Sequence, residues 1–253
     1  KTDRGTAGSG GSGGGGGAAT KAEVAAACWD ECDARSGPVC GASTTPLPRV
    51  VAFEPSPDTF GLLEEAVSAV LIEPGLVPRE ALLLRREAAS DEDGVVEFYD
   101  TGGGSELSSV HLDVVTSDTG EAEIPAVTVP TIRLDTAFAH EHIFFLKIDV
   151  EGHDPAVLAG AQWLFSQQRV HCLVFEYHHK GLWAEPPAPH RLRGIVHGLD
   201  RDGYNVYRIG RERLIQINGA CWTDCYGVAD WSNLFAILRT SPLLPGLLSS
   251  PLL

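Results

Sequence analysis

The sequence predicts an α/β protein with a doubly wound, mostly parallel sheet closed by an antiparallel C-terminal edge. Three observations carry this. From about residue 49 onward, short apolar runs alternate with helix-period segments, the order that builds parallel sheets from strand–helix–strand units. Closely spaced strand-like runs near the C-terminus suit a hairpin edge. Finally, Phe144-Phe-Leu-Lys-Ile-Asp-Val-Glu-Gly152 reads as a buried strand that delivers two carboxylates, Asp149 and Glu151, to its C-terminal edge. In open α/β sheets that edge is where ligands bind.

The elements follow in order. Residues 1–20 hold Gly8-Ser-Gly-Gly-Ser-Gly13 and run on in glycine to Gly17, the composition of a flexible linker. Nothing apolar precedes these glycines, so they do not read as a nucleotide-binding loop after a buried strand. Thr20 with Glu23 forms a capping box for a short helix over Lys21 to Asp33. Residues 36–48 read as loop.

Arg49 to Phe53 is a short strand, Glu54-Pro-Ser-Pro57 a turn, and Asp58 the expected N-cap of a helix reaching about Val70, with Phe60, Leu63, Val67 and Val70 on one face. Ala81 to Leu84 is the next strand. Val95 to Tyr99 and Val127 to Ile132 are further strands around a glycine loop, Gly102 to Gly104. After the Phe144 to Val150 strand, one helix is expected over Pro155 to Phe165, with Asp154 as N-cap and Pro155 at its first position. Then come a strand at Val170 to Tyr177, a helix at Arg191 to Asp202, and strands at Tyr204 to Ile209, Leu214 to Ile217 and Asn233 to Leu238. The leucines beyond are broken by Pro242, Pro245 and Pro251 and read as a loose tail.

The formal charge of −15 on 253 residues repels phosphate backbones and anionic lipid, which argues against nucleic acid and membrane surfaces as partners. No run approaches the roughly 18 apolar residues of a membrane span. The chain opens on Lys1 and holds no Met, which suggests a fragment or processed product. The six cysteines include Cys28-Trp-Asp-Glu-Cys32 with Cys40 nearby, Cys221-Trp-Thr-Asp-Cys225, and Cys172 in an apolar strand, expected as a buried thiol. Reduced thiols, disulfides and, least of all, metal binding stay open for the paired groups. Cytoplasmic and secretory settings are both compatible, with the pairs favouring the second. Oligomeric state is not legible.

Candidate chemistry gathers at strand ends. Glu54 closes an early strand, where an acidic residue accepts hydrogen bonds from ribose hydroxyls; a solvated or capping role is equally open. Asp149 and Glu151 alternate along their strand and so share a face with Lys147, a pairing partner for Asp149. Paired carboxylates there suit a general base or a cationic cofactor; the plainer alternative is a Lys–Asp pair plus a helix-start acid. Glu176-Tyr-His-His179 ends the adjacent strand and offers a further carboxylate and a proton-shuttling histidine. His153, His178 and His179 with Asp149 could also be read as metal ligands, but the spacing matches no metal motif, and no metal is expected.

Together these pieces resemble the FkbM family of S-adenosylmethionine-dependent methyltransferases. The resemblance is carried by Val51-Ala-Phe-Glu-Pro-Ser-Pro57 with Phe60 and Leu63, Glu87-Ala-Ala-Ser-Asp91 followed by Gly94, Ser105, Leu134-Asp135, Leu146-Lys-Ile-Asp-Val-Glu-Gly152 with Val157-Leu-Ala-Gly-Ala161, and Phe175-Glu176, from about residue 49 to 180. It implies a class I methyltransferase fold. It also implies S-adenosylmethionine as cofactor, with Glu54, Pro55 and Ser56 near its ribose, Glu87 and Ala88 near its adenine, and Asp149 near its methionine moiety. Asp149, Glu151 and Glu176 would act at a small-molecule or glycan hydroxyl, the expected acceptor. On this reading 1–45 is a flexible segment, 46–240 the methyltransferase-like domain and 241–253 a tail. The chain departs from the family pattern in lacking an Asp-x-Gly-Ala-Asn-x-Gly strand end before the Phe-Glu-Pro turn, and in having His153-Asp154 where a small residue and Glu are usual. A weakly active relative serving as a binding or scaffold protein is the second reading. A nicotinamide-dependent enzyme is the third, without a G-x-G-x-x-G loop to support it.

Overall fold

A computed structural model describes residues 48–102, 108–120, 123–184, 188–228 and 231–249. The Gly-rich segment, the expected first helix, Cys28, Cys32, Cys40 and Ser105 lie outside them. The chain divides into two units after Leu47, and all described residues belong to the second.

This unit is mixed α/β. Parallel β1 (Val50–Phe53) and β2 (Leu82–Arg85) flank α1 (Pro57–Val67). Ser56, not Asp58, caps α1: its hydroxyl accepts from the Thr59 N–H at 3.1 Å. The reason lies in Pro57, which takes the first helical position because it has no N–H to leave unpaired, so that Asp58 falls inside the first turn. The α-helix also ends earlier than expected, at Val67, and Ser68–Ile72 continue as a wider π-type turn.

A second sheet, in the order β3 (Ala88–Ser90), β5 (Ala126–Arg133), β4 (Gly94–Tyr99), has its own small core of Ala88, Phe98 and Val129. Helix α2 (Leu112–Thr119) lies between β4 and β5 in the chain, and α3 (Leu134–Ala137) follows β5. The largest sheet has the order β6-β7-β10-β8-β9, from β6 (Ile143–Ile148), β7 (Val170–Tyr177), β8 (Tyr204–Ile209), β9 (Leu214–Gln216) and β10 (Ser232–Leu238). Only the β6–β7 pair in it is parallel; the C-terminal strands run antiparallel, as their close spacing implies. Helices α4 (Asp154–Ala159), α5 (Gln162–Ser166) and α6 (Ala188–Arg201) are the crossover elements, and α7 (Leu244–Ser249) gives regular structure to part of the expected loose tail.

Two expectations change here. Among the described residues the ladder is divided among three sheets, and a single doubly wound sheet is not seen. In addition, β6 is not a buried strand. Among the described residues it hydrogen-bonds to β7 alone, and Phe144 and Phe145 are 67% and 52% exposed, with Asp149 exposed as well. Phe144 stacks on His171, with ring centroids 5.3 Å apart, and stays out of the core. Arg49 reaches Glu141 and Phe53 meets the Phe138 ring edge-on, so β1 packs against the segment leading into β6; among the described residues no ladder joins β1 to β6.

The principal core is built on β7, which is flanked on both sides and nearly continuously buried. Phe175 stacks against Trp183, and Tyr177 meets the same indole edge-on at 5.1 Å. Burying each such ring contributes about 2 kcal/mol.

The single helix expected over 155–165 is two, broken at Gly160–Ala161. Gly160 passes against the backbone of β3, where a Cβ would lie 1.9 Å from the Ser90 carbonyl oxygen. The Asp135 carboxylate then receives the N–H groups of Trp163 and Leu164 at 3.1 and 3.0 Å and starts the second helix. Gly160→Ala should therefore cost about 3 kcal/mol or more, because backbone must move to admit a methyl group. Urea denaturation of the variant checks this; a loss below about 1 kcal/mol would show that the α4–β3 contact is looser than described.

Candidate functional site

The C-terminal ends of β1 and β6 and the start of β3 open on one cavity of about 430 Å³. Glu54, Pro55 and Ser56 line it from the β1–α1 turn, Glu87 and Ala88 from the approach to β3, and Asp149 and Glu151 from the turn after β6. Phe98, Val110 and His153 also line it. The sequence pattern at β4 showed Phe98 only as a strand residue. His153, which the sequence offers only as a departure from the family pattern and as one of several metal-ligand candidates with Asp149, lines the cavity.

The β1–α1 turn is firmly held. Glu54 Oε1 accepts from the Ser56 N–H at 2.8 Å, and the Glu54 N–H donates to the Arg85 carbonyl at 3.0 Å. Ser56 Oγ donates to Asp100 Oδ2 at 2.6 Å, with both residues buried. Burial raises the proton affinity of Glu54 above that of an ordinary carboxyl, against the lowering effect of the Ser56 N–H.

Asp149 and Glu151 do not alternate along a strand as the sequence suggests, because β6 ends at Ile148. Glu151 sits in a turn with φ of +49°, and Gly152 follows at +90°. Lys147 Nζ does donate to Asp149 Oδ2, at 2.8 Å. Asp154 is also not the N-cap. His153 holds that position, while Asp154 is buried inside α4 and accepts from the Glu176 N–H at 3.3 Å. Burial pushes its carboxyl up to about 7.

His153 is joined to a chain of polar groups. Ser90 Oγ donates to Asp91 at 3.1 Å, so it receives the His153 Nε2–H at 3.0 Å; His153 Nδ1 is then the acceptor for His111 Nε2, 3.2 Å away. Burial and the neighbouring His111 push the His153 imidazole down to about 4, so it is neutral.

Glu176 is outside the lining of this cavity. It belongs to a second constellation, in which ligand atoms of Glu151, Glu176 and His178 lie within 4.8 Å of one another. Among the described residues this is the group with cation-site spacing; Asp149, His153 and His179 are not brought together with it as a ligand set. The tautomer of His178 weighs against a cation. The Lys180 backbone N–H, which can only donate, points at His178 Nδ1 from 3.1 Å. The ring proton therefore sits on Nε2, 3.5 Å from Glu176 Oε2, where a metal would require a lone pair. Trp231 Nε1 donates to Glu176 Oε1, a contact that no sequence pattern announced. Burial raises the proton affinity of Glu176 and keeps His178 neutral. Cys172 is a buried free thiol, and Cys221 and Cys225 are exposed free thiols.

The family model described as "Methyltransferase FkbM domain" matches residues 31–206. No curated protein and no solved structure matches the chain.

Asp154 links this site to pH. Its native proton affinity exceeds the unfolded one, so between about pH 4 and 7 the native state holds a proton that the unfolded chain has released, and stability falls as pH rises through that window. Asp154→Asn keeps an oxygen for the Glu176 N–H and removes the titration. Relative to the variant, the wild type should lose about 2–3 kcal/mol between pH 5 and pH 8. Urea denaturation of both proteins at both pH values measures the difference; parallel pH profiles would contradict a raised Asp154.

Proposed function

Because the chain belongs to the FkbM methyltransferase family, we propose that it transfers a methyl group from S-adenosylmethionine to a hydroxyl oxygen of a sugar or small natural product. The observation that carries this reading is the sharing of one cavity by the Glu54 turn, the Glu87–Ala88 segment and the Asp149–Glu151 turn. Those are three separate pieces of the chain with the three chemistries a nucleoside sulfonium requires.

The residues present suit that group. The Glu54 carboxylate uses one oxygen for the Ser56 N–H and keeps acceptor capacity for ribose hydroxyls. Ala88, Phe98 and Val110 offer small and apolar walls for a flat base. Asp149 and Glu151 favour positive charge, although Lys147 offsets part of the first. S-adenosylmethionine would supply an electrophilic methyl carbon on a positively charged sulfur. The task of the chain is then alignment and proton removal. Glu176 suits the second role, because burial has made it a stronger base than an ordinary carboxylate. Glu176 would take the proton that the acceptor hydroxyl gives up on methylation.

The scaffold reading is favoured by one observation: β1 and β6, which both feed the cleft, share no hydrogen-bonded ladder among the described residues. Calorimetric titration with S-adenosylmethionine separates the two. Binding with a dissociation constant in the micromolar range, weakened at least about tenfold by Glu54→Ala, is the expected result. The absence of heat, or binding indifferent to Glu54, would leave the scaffold reading.

A further inference from the structure

His178 has no role in the reading above, yet it carries a buried donor without a partner beside the cleft. It is 5% exposed, and its Nε2 atom has no hydrogen-bond partner. The Lys180 N–H on Nδ1 fixes the proton on Nε2. That N–H lies 3.5 Å from Glu176 Oε2 without the geometry of a hydrogen bond, within the constellation that also holds Glu151. Leaving a buried donor unmade is costly, so this one calls for a partner of accepting chemistry.

Three atoms define what fits. The Nε2–H can only donate, and the two carboxylates, when ionised, can only accept. The small group that satisfies both at once is a hydroxyl: its oxygen accepts from His178, and its hydrogen is given to a carboxylate. A cation satisfies the carboxylates and clashes with the ring proton. We propose that the space between Glu151, Glu176 and His178 is the acceptor subsite, with His178 Nε2–H holding the oxygen that is to be methylated. Resting on the methyltransferase reading, this assigns the acceptor end of that site.

Glu151 connects the two constellations, since it lines the main cavity and also belongs to the cluster. An acceptor oxygen held there stands beside the cavity in which the cofactor reading places the methyl donor. Trp231 bounds the cluster through its bond to Glu176 and is 62% exposed, leaving an indole surface beside the hydroxyl subsite. An aromatic face next to carboxylates suits the apolar face and hydroxyl rim of a pyranose ring. The hydrogen bond from His178 strengthens in use as follows. Before transfer it orients a lone pair of the acceptor oxygen. As the O–H proton moves to Glu176, the oxygen gains negative charge and the Nε2–H bond to it becomes charge-assisted.

The test uses the full chain, methyl-labelled S-adenosylmethionine and a panel of methyl pyranosides and simple diols as probes. Wild type should label at least one probe. His178→Phe, which keeps a ring and removes the donor, should lower kcat/KM at least about 100-fold while cofactor affinity by calorimetry stays within about twofold. His178→Gln, which restores an N–H, should recover about tenfold of the loss. In long-range proton–nitrogen NMR spectra His178 should show the Nε2–H tautomer, unbroadened by added Mn²⁺. Retained kcat/KM in His178→Phe, joint loss of cofactor affinity, Mn²⁺ broadening of His178, or cofactor binding with no probe labelled would each overturn the proposal. Failure of wild type to bind S-adenosylmethionine at all overturns instead the methyltransferase reading on which it rests.

Discussion

The site depends on a close crossing of two backbone turns. Gly152 and Gly181 both have left-handed φ, +90° and +56°. A Cβ on Gly181 would lie 2.8 Å from the Gly152 carbonyl oxygen, and one on Gly152 would lie 3.2 Å from Gly181 Cα and 3.3 Å from the His178 ring. Only glycine combines that approach with that conformation. The Leu182 N–H donates to the Gly152 carbonyl at 3.0 Å and seals the crossing. Its effect is to lay the turn after β6 on the turn after β7. Without it, Glu151 and His178 would belong to two separate loops; with it, they face one another and Glu176.

The electrostatics of this edge follow from its burial. Four carboxyl groups, on Asp149, Glu151, Asp154 and Glu176, occupy a small region; Glu176 and Asp149 help to raise Asp154, and Asp149 helps to raise Glu176. In a partly dry environment not all of them hold charge comfortably. Asp154, fully buried, takes most of the strain and stays protonated to about neutral pH, and its carboxyl supports the Glu176 backbone N–H. Asp149 is kept near solvent by Lys147. Neutral His153 and His178 add hydrogen-bonding capacity without adding charge. The result is a graded set: an exposed paired acid, a buried neutral acid, and in Glu176 a base of raised strength, next to the cavity.

Much of this was legible in the chain. The strand-ending acids Glu54, Asp149 and Glu176, the Lys147–Asp149 pair and the antiparallel C-terminal strands follow from local pattern, because alternation, turn chemistry and i, i+2 spacing are local properties. What escaped depends on tertiary contacts. The exposure of β6 could not be read from its apolar residues, since it depends on β6 pairing with β7 alone among the described residues. The break at Gly160 reflects the passing backbone of Ser90, some seventy residues earlier in the chain. Ser56 displaced Asp58 as a cap because Pro57 fixed the register, a competition between two local rules. The Glu176–Trp231 contact spans a separation that no motif encodes.

The division of the strands into three sheets changes what holds the cleft together. Its walls come from all three ladders: Glu54 from the first, Ala88 and Phe98 from the second, Asp149 and Glu151 from the third. Strand pairing therefore does not fix the distances across it. Side-chain bonds between the ladders do: Ser56 to Asp100 joins the first to the second, and Ser109 Oγ to the Glu151 carbonyl at 2.9 Å, with His153 to Ser90, joins the second to the third. These hydroxyl and imidazole bonds are few and partly buried, and each contributes on the order of 1 kcal/mol. The cluster of Glu151, Glu176 and His178 is held differently, by the Gly152–Gly181 crossing on two hydrogen-bonded parallel strands. On the methyltransferase reading proposed above, a hydroxyl oxygen held in line for attack would need such a rigid support.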